Sequence, residues 1–192
     1  MSADRTNHYV TFGVADELLA APVEAVREVL AVPPMTRVPN APDFLVGIID
    51  VRGHSVPVID MRRKLGLPPT EPTESSRVLV LEVTLAGRSA TIGALADRVL
   101  EVITLEEKSL QPPPDIGLRW QSEAIAGIGR RNDGFVILLN LGALFATERI
   151  LLSGATKDAE SGVKITGEVG GNPTEEGKEG SEGSDPAVAP EP

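Results

Sequence analysis

The sequence predicts an all-β chain in which many short strands outnumber two or three small helices. Three observations carry that reading. Strand-like runs are brief and separated by Gly, Pro, Asn and Asp turn signals. A compact unit of hairpin, helix cap and short helix can be read between Val46 and Gly66. That unit recurs 80 residues downstream. A parallel α/β sheet would instead alternate strands with longer helical stretches, so the pattern favours the barrel class.

Taken in order, Tyr9–Val14 alternates and is β-prone, and Glu17–Ala21 returns after an Ala15-Asp16 turn. Pro22 suits a helix start, and Val23, Val26 and Leu30 follow helical spacing, which predicts a helix ended by Pro33-Pro34. Met35–Val38 is at best a short extended piece, and Asn40–Phe44 is a turn. In VGIIDVRGHSVPVIDMRRKLG, apolar runs Gly47–Val51 and Val56–Ile59 flank the loop Arg52-Gly53-His54-Ser55, with Gly53 free to take a positive φ. Pro57 has no amide to donate, so that side of it should meet an edge or a bulge. Asp60 stands at an N-cap ahead of Met61–Leu65, Gly66 follows at C′, and Pro68-Pro69 blocks continuation.

After a polar connector, Glu71–Ser76, the segments Arg77–Thr84 and Ser89–Leu95 pair across Ala86-Gly87, and Arg98–Thr104 continues as strand. Pro112–Trp120 is a loop. In AGIGRRNDGFVILLNLGALF, Gly127 answers Gly47, Val136 answers Val56, Leu138-Leu139 answers Val58-Ile59, and Asn140 answers Asp60. Upstream, Val26-x-Glu28-Val29 is echoed by Val99-x-Glu101-Val102 at an offset of 73. Two such pairings in the same order indicate a duplication, each copy being nearly domain-sized.

Composition sets bounds. With 192 residues the chain has room for one ordinary domain or two small ones sharing an interface. Aromatics are 3%, so a core must be built of Val, Leu, Ile and Ala. A net charge of −10 argues against nucleic acid as partner, because phosphate binding depends on Lys and Arg releasing counterions. There is no cysteine, hence no disulfide, thiol nucleophile or thiolate metal site. MSADRTNHYV lacks the apolar region of a signal peptide, and no stretch of 18 apolar residues would insert in a membrane, which reads as cytoplasmic. From Ser153 the last 40 residues hold eight Gly, four Pro, nine Asp or Glu and no aromatic, so 153–192 is expected to be a disordered acidic tail.

No catalytic constellation emerges. His8 and His54 are far apart in sequence, and His54 with Asp50 and Asp60 reads as exposed loop chemistry more readily than as a metal cluster. Gly127-x-Gly129 lacks the third glycine of a dinucleotide fingerprint and marks a bulge or a close packing contact. No serine sits in a nucleophile elbow. No enzyme, cofactor or metal is expected. What remains is surface. Arg52 at a hairpin tip suits a bidentate contact to a partner's carboxylate, or is a solvated turn residue. Glu28 between Val26 and Val29 is either part of such a surface or simply solvent-facing.

The run from Ala25 to Leu65 resembles the CheW family of bacterial chemotaxis coupling proteins. Arg37, Asn40, Pro42, Phe44, Gly47, Arg52, Gly53, Pro57, Asp60 and Arg62 stand where that family's central motif has its fixed positions. Gly93–Val99, Gly127-Ile128-Gly129 and Val136–Asn140 resemble its later elements, so the match runs over about 8–150 and the domain is drawn at 8–152. The resemblance implies two SH3-like five-stranded β-barrels around a shared apolar seam. It also implies a non-enzymatic adaptor between chemoreceptor cytoplasmic hairpin tips and the regulatory domain of a CheA-type histidine kinase, recruited to receptor arrays. By matching position, Val26, Glu28, Asp50, Arg52 and Ser55 fall where the family contacts receptors, and Val46 and Gly47 nearer the kinase contact. Asp50 replaces the family's usual Asn, His54-Ser55 stands where the family tends to be apolar, and the tail lies outside the pattern. Rival readings are a regulatory variant that competes with a standard coupling protein and a small-molecule-binding β-barrel.

Overall fold

The computed structural model describes residues 6–112, 122–131 and 134–146. The tail and nearly all of the Pro112–Trp120 loop lie outside them. Strand β1 (Thr6–Val14) turns at Ala15-Asp16 into β2 (Glu17–Pro22), and a 3-10 turn at Val23–Ala25 leads to β3 (Val26–Ala31). The hairpin of β4 (Leu45–Val51) and β5 (His54–Asp60) feeds helix α1 (Met61–Lys64). The plan then repeats as β6 (Arg77–Leu85), β7 (Arg88–Ala96), β8 (Arg98–Glu106), β9 (Ile125–Arg131), β10 (Gly134–Leu139) and α2 (Leu141–Leu144).

These strands form two five-stranded sheets, in the orders β8-β1-β2-β10-β9 and β3-β6-β7-β5-β4. Substituting each strand by its counterpart in the other repeat turns one order into the other. The repeats therefore exchange strands: each sheet takes the first hairpin of one repeat and the last three strands of the other. Each sheet has two joints between repeats, one antiparallel, β1 with β8 or β3 with β6, and one parallel, Leu19↔Ile137 and Ala20↔Leu138 between β2 and β10 or Val58↔Gly93 through Asp60↔Leu95 between β5 and β7. Pro57 lies one residue before that second ladder begins, where its missing N–H removes no bond to β7.

The sheets curl into two SH3-like barrels. The chain leaving edge strand β3 comes back at Thr36 to exchange two backbone bonds with Ile48 of the other edge, β4 (2.9 and 2.8 Å). Gln111, after β8, does the same with Ile128 of β9 (2.9 and 2.8 Å). The interiors are filled with side chains. Tyr9, Ala20, Leu105, Val136 and Leu138 pack the first barrel, and Ile49, Val56, Val58 and Val78 the second. The opposite faces of the same strands, with Met61 and Leu65 of the α1 segment and Leu141, Leu144 and Phe145 of the α2 segment, form one continuous core shared by both sheets. That core is the apolar seam, aliphatic except for Phe12 and Phe145 at its centre. Burial of this kind contributes roughly 25 cal/mol per Å² of apolar surface.

One expected element is overturned. The helix predicted from Pro22 to Leu30 is a single 3-10 turn followed by β3. Val26, Glu28 and Leu30 alternate with the more exposed Arg27, Val29 and Ala31, the period of a strand, and β3 pairs with β6 from Val26↔Leu81 to Ala31↔Arg77. The β-branched valines suit this pairing, and tertiary contact overrides the coincidental helical spacing. The local signals around both short helices are realised as read. Asp60 Oδ1 accepts from the amides of Arg62 (2.8 Å) and Arg63 (3.4 Å), and Asn140 accepts from Ala143 (3.2 Å). Gly66, at φ 71°, donates to the Arg63 carbonyl while Leu67 donates to Arg62, a Schellman termination of α1.

Replacing Asp60 by Ala is expected to cost about 0.5–2 kcal/mol in urea unfolding, and more than Asn140→Ala. Asp60 is buried, accepts two amides and faces Arg63 at 3.3 Å, whereas Asn140 accepts one amide.

Asp97 gives the fold an acid-sensitive tie. Burial alone would raise its pKa, but hydrogen bonds from Arg62 and the Ala15 amide, with the charges of Arg62 and Arg98, lower it overall. A carboxylate with a depressed folded pKa contributes fully above the unfolded-state value, and that contribution is lost as pH falls through the folded one. Stability measured against pH should therefore fall on the acid side below the ordinary aspartate range, and Asp97→Asn should flatten that fall.

Candidate functional site

The β4–β5 hairpin is tighter than the expected four-residue loop. Val51 pairs with His54 and Asp50 with Ser55, leaving a two-residue turn of Arg52 (φ 54°) and Gly53 (φ 84°). Both central residues are left-handed, the geometry whose twist matches the flanking strands, and Gly53 takes it without steric penalty. His54 and Ser55 are thus strand residues, both exposed. Asp50 Oδ1 accepts the Gly53 amide at 3.0 Å and holds the turn. The ionic partner of Arg52 among the described residues is Glu28, with Nη2 3.4 Å from Oε2.

That pair spans the barrel. Glu28 belongs to β3 and Arg52 to the turn that follows β4, and β3 and β4 are the two edges of one sheet. Closure brings them together, so residues 24 apart in sequence share one rim. Glu28 is held there by a bulge, since Val26 pairs with Leu81 and Glu28 with the next residue, Val80. A bulge of this kind re-aims the side chain beside it. The Arg52 side chain is 80% exposed and that of Glu28 25%. An ion pair so long and so wet is worth little, about 0–1 kcal/mol. The guanidinium therefore keeps most of its donors for a carboxylate or a carbonyl from outside.

The other residues singled out from the sequence divide by location. Val26 is half-buried against the shared core, and on the same strand Val29 faces outward at 40% exposure. Val46 is the bulge residue of β4, because Leu45 pairs with Ile59 and Gly47 with Val58, and it packs against the interior cluster of the second barrel. Gly47 is buried beneath Met35 and Thr36. A Cβ there would stand 2.8 Å from the Thr36 carbonyl oxygen, so glycine permits the strand that closes the barrel to cross. Ala126 repeats the bulge between Ile125 and Gly127 in β9.

The first barrel carries a counterpart that the sequence reading did not assign. Glu101 of β8 pairs with Arg131 at the end of β9, again edge to edge. Glu101 itself lies in a bulge, sharing with Leu100 the position opposite Thr11, and Thr11, fully buried, donates to the Glu101 carbonyl (2.8 Å) and accepts from its amide (3.2 Å). Leu100, Val102 and Phe135 are exposed in this barrel, the last beneath the Arg130 guanidinium at 5.7 Å. The echo of Glu28 by Glu101 was the available signal; nothing in the sequence pointed to Arg131. Among the described residues no group of three or more His, Asp and Glu could hold a metal. Asp50 holds a turn and Asp60 caps a helix. No helix among the described residues is long and apolar enough to cross a membrane.

Two interlocked SH3-like barrels with a polar hairpin tip at one rim define a double-barrel binding domain. The chain belongs to the CheW-like domain family, whose model matches residues 8–149. It is 30% identical to the chemotaxis protein CheW of Rhizobium meliloti over 139 residues, 72% of this chain and 87% of the relative. It is 31% identical to the protein FrzA of Myxococcus xanthus over 143 residues, 73% of this chain and 86% of that one. Among solved structures, the crystal structure of the scaffolding protein TtCheW from Thermoanaerobacter tengcongensis matches with a TM-score of 0.66 and 31% identity, covering 73% of this chain and 93% of that one.

The packing separates Gly47 from Arg52 by experiment. Gly47→Ala should destabilise the protein by about 1–3 kcal/mol, as overpacking against backbone does. Arg52→Glu should stay within about 0.5 kcal/mol of wild type, as exposed sites do. Urea midpoints of the two variants measure both.

Proposed function

We propose that this protein is a chemotaxis scaffold that couples the cytoplasmic hairpin tip of chemoreceptors to the regulatory domain of a CheA-type histidine kinase. The observation that carries the reading is the tip itself: in a member of the CheW-like family, Arg52 stands exposed on a rigid two-residue turn, held only loosely by Glu28. A guanidinium in that state exchanges a weak internal partner for a stronger external one at little cost. Receptor binding is assigned to Glu28, Arg52, Asp50 and Ser55, with Val26 supporting the strand from below. Charges at such a rim set orientation, specificity and association rate more than raw affinity.

The kinase contact is assigned to the β4 side of the second barrel around Val46 and Gly47, where Gly47 acts by seating the Met35-Thr36 segment above it. Filled barrel interiors speak against a ligand lumen, and nothing in the site favours chemistry over binding. Asp50 replaces the family's usual Asn, yet its role at the turn needs only an acceptor oxygen, which Asn also has. The substitution therefore adds charge beside the tip without altering its shape.

Titration against a receptor hairpin fragment and the isolated kinase regulatory domain tests the assignment. Arg52→Glu should weaken receptor binding on the order of tenfold and leave kinase binding near wild type. Asp50→Asn should strengthen binding to an acidic receptor tip. Equal losses toward both partners would contradict two separate surfaces.

A further inference from the structure

The chain passes between the barrels twice. It leaves the first through the 3-10 turn Val23–Ala25 and returns from β7 to β8 through one residue, Asp97. Any rotation of one barrel against the other must be absorbed at these two crossings, and the second has a single residue to do it. Asp97 is also bonded to both barrels at the junction. Its amide donates to the Gly13 carbonyl (3.0 Å), and its carboxylate accepts the Ala15 amide at 2.6 Å, both in the first barrel. From the second barrel, Arg62 of α1 grips the same carboxylate, with Nε 2.8 Å from Oδ1 and Nη2 2.8 Å from Oδ2. The other end of Arg62 donates to the Pro68 carbonyl (3.3 Å). Arg98 lies over Gly13, where a Cβ would come within 2.6 Å of the guanidinium carbon, and donates to the Ala15 carbonyl.

We propose that Asp97 and Arg62 form an orientation lock, which sets the angle between the barrels and hence how the Arg52 tip is presented relative to the first barrel. The seam and the lock do different work. Apolar burial is strong but non-directional, so it holds two curved surfaces together without fixing their rotation. A two-pronged guanidinium–carboxylate contact is directional, and here both side chains are at least three-quarters buried, 20% and 25% exposed. The consequence for partner presentation rests on the coupling function proposed above. The rotation itself does not.

The test uses the absence of cysteine in the chain. Spin labels at Thr91→Cys in β7 and Val102→Cys in β8 report the distance between barrels, and labels at Thr91→Cys and Ala31→Cys report a distance within the second barrel alone. Pulsed dipolar spectroscopy on the full chain should give a narrow inter-barrel distance. Asp97→Asn, which keeps an acceptor for Ala15, and Arg62→Lys, which keeps the charge but loses the fork, should each broaden or shift it, with the intra-barrel distance unchanged. Unchanged inter-barrel distances in both variants would overturn the lock, as would equal broadening of the two label pairs. Should Asp97→Asn fail to fold, Arg62→Lys decides. No partner enters the measurement, so its failure is distinct from failure of the coupling reading.

Discussion

Neither barrel can close with the strands of one repeat. β1 and β2 need β8, β9 and β10, and β6 and β7 need β3, β4 and β5. This exchange is the constraint from which the rest of the structure follows. It makes the two parallel joints obligatory and forces the strands that line one barrel to present their other faces to a common core. It also couples folding of the halves, because every joint between the repeats is non-local in sequence. The polar devices are duplicated with the strands. Asp60 and Asn140 both cap short helices, and the amide of each donates across its own hairpin to the carbonyl just before the partner strand, Phe44 and Ala124.

With stability placed in the seam, the rims are free to be polar and loosely held. Each barrel has a glutamate on a bulged edge strand facing an arginine at the opposite edge, Glu28 with Arg52 and Glu101 with Arg131. The two pairs differ in exposure of the cation: the Arg131 side chain is 29% exposed against 80% for Arg52. The Arg131 guanidinium is held against its barrel, whereas that of Arg52 stands open to solvent. Charged rims thus arise where closure of an SH3-like sheet leaves two edges side by side, without any enlargement of the core.

What was legible in the sequence was local. The Asp60 cap, the Gly66 stop and the turn glycine Gly53 each depend on residues within a few positions of one another. The 80-residue echo carried the repeat, and family resemblance carried the barrels. The misread segment, Val23 to Leu30, shows the opposite case. Valines three apart fit a helix as well as an edge strand, and the choice was made by β6, which pairs Val29 with Leu79. The exchange of strands between repeats left no trace in periodicity, since β3 reads the same whichever sheet receives it. The Glu28–Arg52 contact was equally hidden, because it exists only once β3 and β4 become neighbouring edges. Asp97 was visible as a motif residue, but its role needed the crossover to be seen.

The central claim is that one molecule presents two separate protein-binding surfaces on a rigid double barrel. Sedimentation velocity on this protein mixed with a receptor hairpin fragment and the kinase regulatory domain tests it most directly. The account predicts a ternary species containing all three, with each partner's affinity little changed by saturation with the other. Mutual exclusion of the two partners, or binding of neither, would contradict it.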